Sequence, residues 1–280
     1  MLTSREIVPL ALVVTFLGAI GAMAMQARRD TPGPAAASAV ELAGTNDEPA
    51  GVTTAPDREP DRMASGIVNP SDLGALPLRE AALPAPTRDV AAIRRTIAAR
   101  AAGTYIGDML AEDSLLVRWP DRTVAALRVW VQPHARVPNW NDRYPAMVRF
   151  AFNEWSAAGF PMRFLHVIDS TGADLHVTFT TALPGRQIGL TRRLRDRHGW
   201  IVGAEITIAT QDEQGEAFRE DLVAGIARHE VGHALGLGHA SDPATVMFPE
   251  SRTTTIGAGD RATLHLLYTL PPGSVREAAR

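Results

Sequence analysis

The sequence predicts an α+β (mixed α/β) domain, and three observations carry that expectation. Short runs between residues 123 and 210 alternate apolar and polar residues at a period of two. Separate runs repeat apolar residues at spacings of three and four, ending at Gly or Pro. The order of these runs is strand, helix, several strands, helix, loop and helix, which suits one layered core. At 280 residues the chain has room for one such domain with appendages.

The chain opens with residues 7–25, IVPLALVVTFLGAIGAMAM, uncharged over 19 positions and followed by Arg28 and Arg29. A span of roughly 20 apolar residues can cross a bilayer, while Ala22-Met23-Ala24 matches the small-residue pattern of signal cleavage. Residues 1–27 are therefore expected to be a signal peptide or an N-terminal membrane anchor, which contacts the membrane through 7–25 if it is not cleaved. Either way the rest of the chain is expected to be exported across the cytoplasmic membrane, to be secreted or anchored with its folded domain outside. Residues 28–87 are rich in Pro, Ala, Gly, Ser and Thr and keep no sustained period, so they are expected to be a disordered linker.

Order is expected from residue 88. Residues 89–102 read as a helix within a helical lead-in over 88–114. A strand is placed at about 123–131 on Val124, Leu127, Val129 and Val131. The helix after Asn141 carries Tyr144, Val148, Ala151 and Trp155 on one face and stops at Gly159. MRFLHVID, ADLHVTFTTA and ITIAT (206–210) read as strands, and a last helix covers about 258–270 before Pro271 and Pro272. The folded domain is set at 115–272.

Composition narrows the chemistry. With 28 basic against 31 acidic residues the net charge is -3, so a nucleic-acid surface is not expected. There is no cysteine, so any metal site must draw on His, Asp or Glu.

Residues 229–239, HEVGHALGLGH, supply such a set. Residues four apart share a helix face, so His229 and His233 can present two imidazoles to one ion. Gly236 stands where a helix can end in the left-handed conformation that Gly adopts at little cost, turning the chain so that His239 becomes a third ligand. Three imidazoles on a tetrahedral zinc leave one position open for water, the mark of a catalytic site. Glu230, beside the first ligand, can reach that water as general base and acid. A lone His here would read as packing or surface. Five fixed positions agreeing by chance somewhere in this composition is on the order of a few in 100,000.

HEVGHALGLGH followed by Met247 in TVMFP resembles the metzincin metalloendopeptidases, and within them the matrixins, in particular bacterial members. VRFAFNEWSAAGFPMRFLHV, ADLHVTF and GLTRRLRDRHGWIVGAEITIAT fall in the order matrixin catalytic domains show, so the resemblance spans about residues 115–270. It implies a twisted five-stranded sheet, mostly parallel with one antiparallel edge strand, two long helices, and a short C-terminal subdomain ending in a helix. It also implies His229, His233 and His239 as ligands of one catalytic zinc, Glu230 as general base, and Met247 as the apolar Met-turn floor beneath the metal. The implied activity is hydrolysis of peptide bonds in a protein or peptide substrate laid along the edge strand, provisionally Gly189–Arg192, by a chain expected to be a monomer.

The sequence departs from the family in several places. Pro249 is followed by Glu250 and Ser251 where matrixins commonly carry x-Tyr in the wall of a specificity pocket, so substrate preference stays open. Ala240 follows the third His where Ser or Thr is frequent. The His- and Asp-rich run that holds a second zinc in vertebrate members is missing, and no prodomain cysteine exists to restrain the metal. Calcium is a weaker expectation: Asp169, Asp174 and Asp212 offer carboxylates but read more simply as solvated surface. His134, His166, His176, His198 and His265 read as satisfied or solvated. Two rival functions stay open, a metzincin-like binding protein that no longer cuts and a zinc hydrolase acting on a non-protein amide such as cell-wall peptide.

Overall fold

The computed structural model describes residues 64–68, 83, 85–121, 125–250 and 253–276. The segment 7–25 and the rest of the expected linker lie outside the described residues. Among the described residues no helix is long and apolar enough to cross a membrane.

Eight strands and five α-helices follow one another along these residues: β1 (Ala64–Val68), α1 (Val90–Arg100), α2 (Ile106–Glu112), β2 (Leu115–Leu116), β3 (Leu127–Val131), α3 (Tyr144–Ala157), β4 (Phe164–Val167), β5 (Leu175–Thr180), β6 (Gln187–Arg195), β7 (Ile201–Ala209), α4 (Glu220–Ala234), α5 (Ala258–Thr269) and β8 (Gly273–Ser274). The main sheet has the order β1-β6-β7-β5-β3-β4. Its five strands β6 to β4 are those the resemblance implied: β7, β5, β3 and β4 run parallel, and β6 pairs antiparallel with β7. In β3, Leu127, Val129 and Val131 alternate into the core as their spacing predicts. The strand starts four residues later than expected, and Val124 lies outside the described residues. β7 starts earlier than ITIAT suggested, at Ile201, because its antiparallel partner β6 extends the ladder through the turn Asp196–Trp200.

Two features depart from the expected boundaries. Within the stretch taken as linker, Ala64–Val68 forms β1 and pairs parallel with β6, placing Ser65 to Val68 opposite Gly189 to Arg192. An edge strand offers a row of free amides and carbonyls, and those hydrogen bonds give order to a segment whose composition predicts none. The lead-in is also part of the domain. Ile93, Tyr105, Ile106 and Met109 are buried in the same core as α3 and α4, and β2 pairs with β8, just beyond the expected end at 272.

The long helices pack on one another, α3 over β3 and β4, α4 over β6 and β7. Trp155 of α3 donates its Nε1–H to the Arg228 carbonyl at 2.8 Å, and Arg228 Nε donates to Glu154 Oε2 at 2.7 Å. These two bonds fix the height of α4 against α3 one residue before the motif begins.

Candidate metal centre

Helix α4 forms from a sequence with apolar residues at 223, 226, 227, 231 and 234, all buried, and with Glu220 and Asp221 in its first turn, where the helix dipole favours negative charge. It ends where predicted. Gly236 has φ of 104°, and a Cβ there would collide with the Val117 carbonyl oxygen, so both conformation and space call for Gly. The carbonyls left open at this end find tertiary donors: Trp119 Nε1 reaches Ala234 O at 2.9 Å and Tyr268 OH reaches Leu235 O at 2.8 Å.

The turn brings the three histidines together. One ring nitrogen from each of His229, His233 and His239 lies within 4.8 Å of the others, and among the described residues no other group of three or more metal-binding side chains converges in this way. Each ring is held from its far side. His229 Nδ1 is 2.7 Å from Val246 O, His233 Nδ1 is 2.9 Å from Leu237 O, and His239 Nδ1 is 3.4 Å from Glu112 Oε1. Bonds to carbonyls require Nδ1 of His229 and His233 to carry the proton, which leaves Nε2 with its lone pair. Nε2 of His229 and Nε2 of His239 are buried without a hydrogen-bond partner, a cost that a metal ion would remove. Burial, with repulsion from His239, pushes His229 down to about 3, and burial pushes His233 well below its ordinary value, so both rings are neutral at physiological pH, the form that can bind a metal. Three imidazoles, each oriented by an oxygen behind it, fit zinc with one position open.

Glu230 points its carboxylate to β6. Thr191 Oγ1 donates to Glu230 Oε2 at 2.6 Å and to the Glu230 carbonyl at 3.0 Å. Gly189 makes the room: a Cβ there would stand 2.7 Å from Glu230 Cγ and Cδ and closer still to Oε1. Met247 is fully buried, and its Sδ fills the space where a Cβ on Gly232, between the first two histidines, would stand. Its turn is tied to the site by the Ala240 amide, which donates to Met247 O at 2.9 Å. Asp260 of α5 accepts from the Val246 amide at 3.1 Å and from the Gly257 amide at 2.7 Å, while burial pushes its carboxyl up. Asp260 thereby braces the peptide unit next to the one that holds His229.

The other expected candidates stand elsewhere. Asp169 and Asp212 accept from amides of their own turns, and Asp174 accepts from the Arg128 amide at 2.7 Å. His134 and His265 are exposed, His198 sits in the β6–β7 turn, His176 Nε2 meets Ser170 O, and His166 lies against Phe152. Gly232, Asp260 and Glu112 were not singled out from sequence, and Gly189 and Thr191 were named only as part of the edge stretch Gly189–Arg192, not for their contacts with Glu230. A Gly inside a strand run does signal close approach of another group, which Gly189 illustrates. Nothing local marks Glu112 or Thr191.

The family model described as matrixin matches residues 119–269, more than half of the chain. The chain belongs to the matrixin family. Metalloendoproteinase 1-MMP of Arabidopsis thaliana is 33% identical to this matrixin over 116 residues, 38% of this chain and 32% of that protein. Matrilysin of Homo sapiens is 31% identical over 122 residues, 41% of this chain and 42% of its own length. Matrilysin of Felis catus is 46% identical over 52 residues, 19% and 16% of the two chains. This matrixin thus spans less than half the length of each of these relatives. Matrixins are zinc metallopeptidases, and the histidine cluster here fits the metal that family uses.

Proposed function

We propose that this chain is a zinc-dependent endopeptidase in which His229, His233 and His239 hold the metal and Glu230 moves the proton. The observation that carries the reading is the convergence of three rings whose outer nitrogens are engaged, while Nε2 of His229 and of His239 has no protein partner. Zinc, when bound, supplies a Lewis acid that polarises the scissile carbonyl and lowers the pKa of water to about 7. The Glu230 carboxylate takes the proton from the attacking water and delivers it to the nitrogen of the leaving amine. Thr191 keeps one carboxylate oxygen turned to β6 and so fixes the direction from which Glu230 acts. No residue forms a covalent bond to the substrate.

The substrate is an extended peptide that pairs with β6 over Gly189–Arg192. Gly189 and Thr191 both touch Glu230, so a peptide on that edge lies beside the proton-transfer group. In the structure β1 holds those positions, which supports the capacity of this edge to accept a strand and means that a substrate must displace β1. The uncharged segment 7–25 supports export, with the catalytic domain outside the cytoplasmic membrane.

The test is zinc content and cleavage of unfolded casein by the purified chain, with and without chelator, beside Glu230→Gln. About one zinc per chain is expected, with chelator-sensitive cleavage that the variant loses by about 10²- to 10⁴-fold while keeping its metal. Zinc without cleavage of casein or any peptide would overturn the endopeptidase reading in favour of a binding role or another amide substrate.

A further inference from the structure

We infer that Glu112, on helix α2 outside the matrixin-matched residues, is a positioning residue for the third metal ligand. The inference rests on the zinc reading of the histidine cluster. His229 and His233 are oriented by backbone carbonyls of their own turn and of the Met-turn, as the geometry above shows. His239 lies beyond the helix end, on a loop that offers its ring no such carbonyl, and the oxygen behind its Nδ1 is a carboxylate brought from 127 residues away in the chain. Glu112 uses both oxygens on this one residue: Oε1 is 3.4 Å from Nδ1, and Oε2 is 3.4 Å from the backbone amide of His239. The carboxylate therefore sets both the ring and the backbone that carries it. It stands on the far side of the ring from Nε2, outside the cluster of converging nitrogens, so it is not itself a ligand.

The rest of α2 grips the same loop. Asp108 Oδ2 accepts from the amide and the hydroxyl of Ser241, each at 2.8 Å, and Met109 packs against Gly238, where a Cβ would stand 3.2 Å from Met109 Cγ and 3.3 Å from Glu112 Oε2. Residues 236–241 leave the helix without regular secondary structure, and this grip adds to the bonds from the Leu237 amide to Gly232 O and from the Ala240 amide to Met247 O. A carboxylate behind a ligand imidazole fixes its tautomer and raises its basicity, and losing such a partner typically costs about 10- to 100-fold in metal affinity. The functional unit of this chain accordingly begins at α2 rather than at the family boundary near Trp119.

The experiment uses the full chain, loaded with zinc for affinity by chelator competition and with cobalt(II) for the ligand-field spectrum, in the native protein and in Glu112→Gln, Glu112→Ala and Asp108→Asn. Glu112→Ala is expected to weaken zinc by about 10- to 100-fold and to change the cobalt spectrum. Glu112→Gln keeps the size and an oxygen acceptor, so it folds, and it is expected to retain a native-like spectrum with a smaller loss of affinity. Asp108→Asn, which weakens the hold on Ser241 without touching the ring, is expected to cost less affinity than Glu112→Ala and to leave the cobalt spectrum native. Native affinity and spectrum in both Glu112 variants would overturn the role, as would an Asp108→Asn change as large as that of Glu112→Ala, since α2 would then act by packing alone. A native chain that takes up neither metal would overturn the zinc site itself and this role with it, a result distinct from the other two.

Discussion

At Gly189 a methyl group would occupy the space of the Glu230 side chain, which Thr191, two residues along the same strand, already pins. Gly189→Ala must therefore turn the carboxylate away while leaving all three histidines untouched. A displacement of about 1 Å at a reacting group can cost on the order of 100-fold in rate, so kcat/KM is expected to fall by about that factor with zinc content unchanged. Steady-state kinetics beside metal analysis checks it, and native kinetics in Gly189→Ala would show that Glu230 has room the structure does not show. Thr191→Val keeps the shape but removes the donor to Glu230 Oε2. A hydrogen bond to a charged group contributes about 1.5–3 kcal/mol, so activity is expected to drop by about 10- to 100-fold, again without loss of metal.

At the scale of elements, the end of α4 and the outer edge of β6 make separate predictions. Gly236 joins φ of 104° to the close approach of Val117 O, so Gly236→Ala combines backbone strain with a clash. Strain at such a position costs about 1–3 kcal/mol before any clash, and the turn that delivers His239 is the part that must yield. Both the denaturation midpoint and the zinc affinity of Gly236→Ala are expected to fall together. Strand β1 occupies Gly189–Arg192, the edge proposed for the substrate. Deleting residues 64–68 should therefore lower KM for peptide substrates several-fold with little change in kcat, and an unchanged KM would mean that substrate binds elsewhere. α2 and α4 illustrate a different limit on reading the sequence. The helix spacing of His229 and His233 is local and visible, whereas α2 is a seven-residue helix whose role depends on where the chain folds it.

For the molecule as a whole, protons and metal compete for the same three rings. In the folded apoprotein burial holds His229 at about 3 and His233 well below the ordinary 6.5 that an unfolded chain shows. Below pH 6.5 the unfolded chain thus binds more protons than the folded one, and stability falls as the pH drops from about 6.5 towards 3, by up to about 1.4 kcal/mol per pH unit for each histidine. Denaturant midpoints of the metal-free protein are expected to be lower at pH 5 than at pH 7.5. Equal midpoints would show that the rings are hydrated in the folded state. Zinc reverses the balance: at a free concentration about 1,000 times its Kd it adds about 4 kcal/mol, or about 10 °C in Tm, which chelator should remove.

The motif helix, its two histidines on one face, the Gly that ends it and the third His beyond it were legible in the sequence, because a helix repeats every 3.6 residues and a left-handed turn selects glycine. Four of the five strands and the long helix α3 were legible for the same reason, as periodic patterns in short windows, while β6 was expected only from the family resemblance. The order of β1 on β6 was not, since its stability comes from an edge that exists only once the sheet has formed. Nor were Thr191, 39 residues from the Glu230 it holds, and Glu112, 127 residues from His239. Sequence determined which groups could bind a metal and move a proton; tertiary structure decided what orients them, because a hydrogen bond depends on distance in space and leaves no period along the chain.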